Sequence, residues 1–184
     1  MEVFLLSLLF VAYLSIRYFV MDHETPAEKD MKRFQTGLAL IKNRDFEAAF
    51  TYFDTSVRQH PKSAVAYASR GKCQLALGNC HSAIYDVTQA ISLDNTLADC
   101  YLDRGMALHE IEQFTEAFRE FDKAVWYFRD EQPDAYRWRA VARVKLNQVQ
   151  QAESDLRRAV LLGDENSFHL LQQPPFVKRV YQNR

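Results

Sequence analysis

Alanine recurs at intervals of 34 residues through most of this 184-residue chain. Ala49, Ala83 and Ala117 are 34 positions apart, and Ala152 follows at 35. The same spacing relates three further sets, which are Tyr67, Tyr101 and Tyr136; Arg70, Arg104 and Arg139; and Ala90, Ala124 and Ala159. A fixed period of this length is typical of proteins built from stacked supersecondary units. One residue inserted near Gln132 explains each interval of 35 and gives four units: 30–63, 64–97, 98–131 and 133–166.

Each unit divides into two helix-length segments. In the second unit, apolar residues recur at three- and four-residue spacing on both sides of Gly78-Asn79, which is a helical period. Pro133 opens the fourth unit, where its missing N–H costs nothing. Only five Gly and five Pro are present, which disfavours a loop-rich β sandwich. The pattern predicts an all-α fold, an α-solenoid of four helix-turn-helix repeats followed by a short capping helix and tail over 167–184.

The residues at matching places of the units resemble the tetratricopeptide repeat family. That family has a small residue at position 8 of its 34, where this chain has Gly37, Gly71, Gly105 and Ala140. It has Ala at position 20, where this chain has Ala49, Ala83, Ala117 and Ala152. The resemblance implies stacked helix pairs whose first helices line a concave groove. Glycine inside a helix costs about 1 kcal/mol relative to alanine, and we expect close helix packing to offset that cost.

The amino-terminal segment differs from the repeats. Residues 3–21 are 19 in number and carry one charge, Arg17. A helix of that length spans about 28 Å, close to the about 30 Å of a hydrocarbon core. The sequence therefore predicts a transmembrane anchor over 1–21 and a linker over 22–29. A cleaved signal peptide and a helix buried in a partner complex are the alternatives.

Basic residues follow the apolar run rather than precede it. Arg17, Lys29, Lys32 and Arg33 stand at or after its end. The positive-inside rule then places the repeats in the cytoplasm, as part of a single-pass membrane protein.

Composition and motifs exclude several function classes. Acidic and basic residues number 24 and 23, so no basic excess is present to hold nucleic acid. The five histidines are scattered, the three cysteines form no Cys-x-x-Cys, and no phosphate-binding glycine loop occurs. We expect no enzyme activity, no metal and no cofactor.

The family resemblance assigns the concave groove to particular positions of each first helix. The predicted partner-binding residues are Phe34, Leu38, Ile41, Lys72, Asp99, Leu102, Asp103, Met106, His109, Glu110, Arg137, Trp138 and Val141. Their apolar members predict a protein partner, a helical amphipathic segment, and the acidic ones favour a basic residue on it. The competing interpretation is that Phe34, Leu38 and Ile41 pack against the chain's own terminal segments.

One branch of the family holds the acidic tails of Hsp70 and Hsp90 chaperones in a clamp of Lys, Asn and Arg. The corresponding places here hold Phe34, Leu38, Ser69, Asp99 and Asp103, so we expect no such carboxylate clamp. The resulting hypothesis is a non-catalytic, membrane-anchored scaffold or adaptor that binds a peptide segment. The alternative is an accessory subunit of an integral membrane protein complex.

Overall fold

The computed structural model describes residues 2–20 and 24–177, with side chains described for 6–17 and 24–177. Eleven α-helices and no strands occur in these ranges. They are α1 (Glu2–Val20), α2 (Pro26–Arg33), α3 (Gln35–Lys42), α4 (Phe46–Gln59), α5 (Ala64–Ala76), α6 (Cys80–Leu93), α7 (Ala98–Glu110), α8 (Phe114–Tyr127), α9 (Pro133–Lys145), α10 (Val149–Leu161) and α11 (Glu165–Leu171). From α3 onward each helix packs on the next in chain order, so the all-α solenoid is confirmed.

Local sequence signals explain where the helices begin and turn. Thr25 forms a capping box with Glu28 ahead of α2, and Pro26 occupies the first turn. The short turn inside each helix pair contains one residue of positive φ; these are Arg44, Gly78, Glu112 and Asn147. They too lie 34 or 35 residues apart. The repeat period therefore extends to the backbone of the turns, where three of the four positions are not glycine.

The number of repeated helices is larger than the four predicted pairs contain. The first helix of the first pair is divided into α2 and α3 at Phe34, whose backbone leaves helical geometry at φ −100° and ψ 20°. Phe34 is only 2% exposed and its ring packs edge-on against Phe53 at 6.0 Å. At the other end, Leu170 and Leu171 of α11 pack against the buried cluster that Ala140, Ala152 and Leu156 form on α9 and α10. A further helix thus continues the stack beyond the fourth pair.

Glycines on the first helices mark where the two helices of a pair approach each other. A β-carbon at Gly71 would lie 2.7 Å from Val87 and 3.3 Å from the Ala83 carbonyl oxygen. A β-carbon at Gly105 would lie 2.5 Å from the Phe121 ring. Both separations to the facing side chain are too short for an additional carbon atom. Close packing therefore accounts for glycine inside these helices, despite its helix cost.

Arginines on three successive first helices form a repeated set of ion pairs, which we call the arginine ladder. Each arginine binds a carboxylate on the second helix of its own pair: Arg70 to Asp86 at 2.7 Å, Arg104 to Glu120 at 2.5 Å, and Arg139 to Asp155 at 2.7 Å. Each also reaches the preceding pair, at Asp54, Thr88 and Asp122 respectively. The tyrosine three residues earlier lies beneath each guanidinium, at 5.2–5.9 Å from its ring centre. The ladder links neighbouring pairs.

The predicted single-pass membrane localisation is wrong. Within the residues that the structure describes, no helix has both the length and the apolar character that crossing a membrane requires. The uninterrupted apolar run 3–16 has 14 residues, whereas a span needs about 20, and Arg17 lies in the last turn of α1. The predicted transmembrane anchor and the cytoplasmic placement derived from it are therefore withdrawn. Residues 1 and 21–23, and the tail residues 178–184, lie outside the described residues.

Candidate functional site

A pocket of about 260 Å³ lies where the first helices of the first three pairs meet. We call it the first-helix groove. It is lined by Met31, Leu38, Ile41, Val65, Ala68, Ser69, Lys72, Leu97, Asp99, Cys100 and Asp103. All of these residues except Leu97 lie on α2, α3, α5 or α7. The repeat register brings them together because each unit contributes the same face of its first helix.

Much of the groove lining is apolar and partly open. Met31 is 47% exposed, and Leu38 and Ile41 are half-buried. Val65 is buried, with Ala68 half-buried one turn further along α5. An apolar surface of this kind, bounded by polar groups, is typical of a protein-interaction site.

The polar lining consists of Lys72 on α5 and of Asp99 and Asp103 on α7. Asp103 is only 8% exposed. Burial raises the pKa of Asp103 to about 6, with the positive charge of Lys72 opposing the rise and the negative charge of Asp99 adding to it. The carboxylates act in return on Lys72, whose pKa is raised chiefly by Asp103, against the effect of its own desolvation.

Within the described residues, Asp103 and Lys72 make no direct ion pair with each other or with another side chain. Among the described residues, no hydrogen bond or direct ion pair reaches the Asp103 carboxylate. Lys72 is exposed, and it too makes no direct ion pair within the described part of the chain. Asp103 is thus a nearly buried residue whose carboxylate has no hydrogen-bond partner within the described residues, unlike the buried carboxylates of the arginine ladder.

A second cluster, formed by aromatic rings, lies between α7, α8 and α9. The His109 ring lies edge-on to Phe114 at 5.2 Å and to Trp138 at 5.8 Å. Trp138 in turn stacks on Phe121 at 6.0 Å. Burial lowers the pKa of His109, and neither of its ring nitrogens has a hydrogen-bond partner among the described residues. Trp138 is therefore partly a packing residue as well as a surface one.

The structure distributes the thirteen predicted groove residues over several environments. Five line the first-helix groove: Leu38, Ile41, Lys72, Asp99 and Asp103. Met106 and Glu110 line a separate pocket of about 590 Å³ between the second and third pairs. Arg137, Trp138 and Val141 line one of about 320 Å³ against α11. His109 lies in the aromatic cluster, whereas Phe34 and Leu102 are 2% and 8% exposed and offer little surface.

Some lining residues were missing from the predicted set. Leu97 precedes α7 as its N-cap, so the pattern of first-helix positions does not include it. Asn166, His169, Leu170 and Gln173 close the third pocket from α11 and the segment after it, beyond the last complete unit. Arg137, in contrast, was predicted, but its guanidinium is already held by Asp134 at 2.7 Å and Asp164 at 2.6 Å.

The two buried cysteines near the groove carry thiols that are not activated. Burial raises the thiol pKa to about 11 for Cys73 and about 12 for Cys100, so both stay protonated at neutral pH. In the described ranges, no group of three His, Cys, Asp or Glu side chains is arranged to hold a metal ion. What the groove offers is an apolar surface next to charge.

Comparisons with known proteins show similarity to tetratricopeptide repeat proteins. Residues 34–96 match the family model described as tetratricopeptide repeat. The chain is 33% identical over 79 residues to Protein SGT1 homolog of Oryza sativa subsp. japonica, covering 43% of this chain and 22% of that protein. It is 24% identical over 106 residues to Hsp70-Hsp90 organizing protein of Triticum aestivum, covering 58% and 18%. The chain thus spans less than a quarter of the length of either relative.

Solved structures with the same arrangement of helices include one from Desulfovibrio magneticus RS-1. Its MamA, residues 41 to the end, matches with a TM-score of 0.63 at 21% identity, covering 70% of this chain and 72% of that one. The second TPR of Spaghetti (RPAP3), bound to the HSP90 peptide SRMEEVD, matches with a TM-score of 0.53 at 26% identity, covering 57% and 97%. The family model supports membership of the tetratricopeptide repeat family, and the solved structures support an all-helical solenoid fold.

Proposed function

We propose that this protein is a non-catalytic adaptor that binds a helical segment of a partner protein in the first-helix groove. The observation that carries the proposal is the groove itself, an open and largely apolar surface built by equivalent faces of successive first helices. Concave surfaces formed by successive repeats are the extended binding surfaces that solenoid proteins use. An amphipathic helix that lays its apolar face into a groove is a common recognition mode. The proposal retains the four units 30–63, 64–97, 98–131 and 133–166, with 167–184 as cap and tail.

A structural neighbour supports peptide binding as the activity, but the peptide that it binds has the same sign of charge as the carboxylates in the groove of this chain. The second TPR of Spaghetti (RPAP3) was solved with the peptide SRMEEVD, three of whose last four residues are acidic. The first-helix groove of this chain instead contains Asp99 and Asp103, with Lys72 as the basic residue of its lining. Like charges across an interface are unfavourable. We therefore include in the proposal that the groove does not accept acidic chaperone tails.

Peptide display on the purified full chain tests the proposal. A library of random peptides is selected on the wild-type protein, and the dissociation constants of the recovered peptides are measured by fluorescence anisotropy. The double variant Met31→Gln, Ala68→Gln places polar side chains on the apolar lining of the groove. It should weaken binding by about tenfold or more, because about 1.4 kcal/mol of apolar contact is enough for that loss.

The matched control changes the second-helix side of the same array. Glu116 is exposed on α8 and does not line the groove, so Glu116→Lys should leave the affinities unchanged. Recovery of no peptide at all, or of peptides that bind the groove variant as tightly as the wild type, would contradict the proposed function.

A further inference from the structure

Asp103 is the feature of the first-helix groove that packing does not explain. The residue as a whole is 8% exposed, it lines a largely apolar pocket, and it makes no hydrogen bond or direct ion pair among the described residues. Burying a charge without a partner is unfavourable, and most buried polar groups in proteins are satisfied. An aliphatic residue at this place would line the pocket without that cost. The carboxylate therefore indicates a group that arrives from outside the chain.

The charges facing Asp103 come from two helices. Lys72 faces it from α5, and Asp99 lies one turn before it on α7. Two carboxylates thus face one ammonium group, and the local balance is negative. Such a site attracts a hydrogen-bond donor that carries positive charge.

The apolar lining fits the rest of a basic side chain. Arginine and lysine extend three or four methylene groups before their charge, and these stems pack readily along apolar surface. Leu38, Ile41 and Ala68 provide such surface beside the carboxylates. Arginine fits better than lysine, because its guanidinium is more weakly hydrated and can bind a carboxylate through two parallel hydrogen bonds.

We propose, building on the function proposed above, that the first-helix groove recognises a protein segment that inserts a basic side chain, preferably arginine, against Asp103 and Asp99 between flanking apolar side chains. Lys72 lines the same pocket and disfavours a second basic residue beside the first. The segment is thus apolar with one central positive charge. Acidic segments meet two carboxylates and bind weakly.

The test uses the peptides selected on the full-length wild-type protein. They should be enriched in arginine flanked by Leu, Ile or Met. Replacing that arginine by citrulline, which keeps its shape and removes its charge, should weaken binding to the wild type by about tenfold or more. On Asp103→Asn, where Asp99 alone remains to face the arginine, the same replacement should cost at least about threefold less affinity than it does on the wild type. Glu116→Gln, which removes a carboxylate from exposed α8, is the matched control and should retain the full citrulline effect.

The possible outcomes separate this inference from the proposed function. Peptides that bind the groove but carry no basic residue, or that lose equal affinity to citrulline on wild type and on Asp103→Asn, overturn the inference and leave the adaptor function standing. Failure of every peptide to bind the groove overturns both.

Two further measurements address occupants from the chain itself. The first is analytical sedimentation of the wild type. If the wild-type protein self-associates and the double variant Met31→Gln, Ala68→Gln does not, a second copy of the chain is the occupant of the groove, and the inference is overturned. The tail 178–184 contains Lys178, Arg179 and Arg184. If a chain ending at residue 177 binds the arginine peptides at least about tenfold more tightly, the tail is the occupant of the groove, which likewise overturns an external partner.

Discussion

Asp103→Asn should change how the stability of the protein depends on pH. Burial raises the pKa of Asp103 to about 6 in the folded chain, whereas an unfolded aspartate titrates near 4. Between these values the folded protein holds a proton that the unfolded chain has lost. Folding stability must therefore fall as pH rises through this window, and it levels off above about pH 6.

The size of the effect follows from the same difference. A pKa difference of one corresponds to about 1.36 kcal/mol, so a rise from about 4 to about 6 amounts to about 3 kcal/mol. Asp103 is only 8% exposed, so solvent screening reduces this figure little. Asparagine does not titrate. Relative to Asp103→Asn, the wild type should lose about 3 kcal/mol of unfolding free energy between pH 3.5 and about pH 7.

Urea unfolding followed by far-UV circular dichroism, repeated across this pH range, measures the difference directly. Other titrating groups cancel when the variant curve is subtracted from the wild-type curve. Glu116→Gln serves as the control, because Glu116 is exposed on α8. Parallel curves for wild type and Asp103→Asn would show that the carboxylate is solvated or paired in solution, and the inference of an unpaired buried charge would then fail.

Three other expectations follow from the geometry. Affinity for an arginine peptide should rise with pH through about 6 as Asp103 ionises, and this dependence should vanish in Asp103→Asn; anisotropy titrations at pH 5 and 7.5 measure it. Gly105→Leu should lower the melting temperature well beyond Gly78→Ala. A single β-carbon at Gly105 would already lie 2.5 Å from Phe121, so leucine there overpacks the helix contact and destabilises the fold by about 1–3 kcal/mol or more, whereas alanine at Gly78 only strains a positive φ in open space. Equal shifts in melting temperature would contradict the packing described. Arg70→Ala should destabilise by about 3–5 kcal/mol and by more than Arg139→Ala, since the carboxylate that Arg139 binds keeps a second arginine; chemical denaturation of both variants tests the order.

The sequence predicted the parts of the fold that depend on spacing. Glycine and alanine recur at the places where paired helices approach, and the structure puts Gly105 against Phe121 and Gly71 against Val87. The period also revealed the recurrent arginines without revealing their role. Arg104 binds Glu120 sixteen residues away, and only the packed helices determine which of several carboxylates it reaches.

Other features depend on how deeply a side chain is buried and on which residues surround it, and the position of a residue within the 34-residue repeat specifies neither. Phe34 and Leu102 occupy groove positions in the repeat pattern, yet they are buried. Asp103 was predicted as a groove residue, but only the packed structure shows that none of the described side chains around it makes a hydrogen bond or a direct ion pair with its carboxylate. The membrane prediction failed because it counted residues up to 21, although the uninterrupted apolar run ends at 16 and Arg17 follows it within the helix.

The arginine ladder has a consequence for how the array holds together. Each of its arginines binds a carboxylate of its own unit and also reaches the unit before it, so the ladder stabilises single units and in addition couples neighbouring ones. The first unit has Thr36 at the arginine position and joins the ladder only by supplying Asp54 to Arg70. The first unit is therefore linked to the ladder through its contact with the second unit alone. Opening from that end breaks a single ladder contact, whereas opening in the middle breaks contacts on both sides.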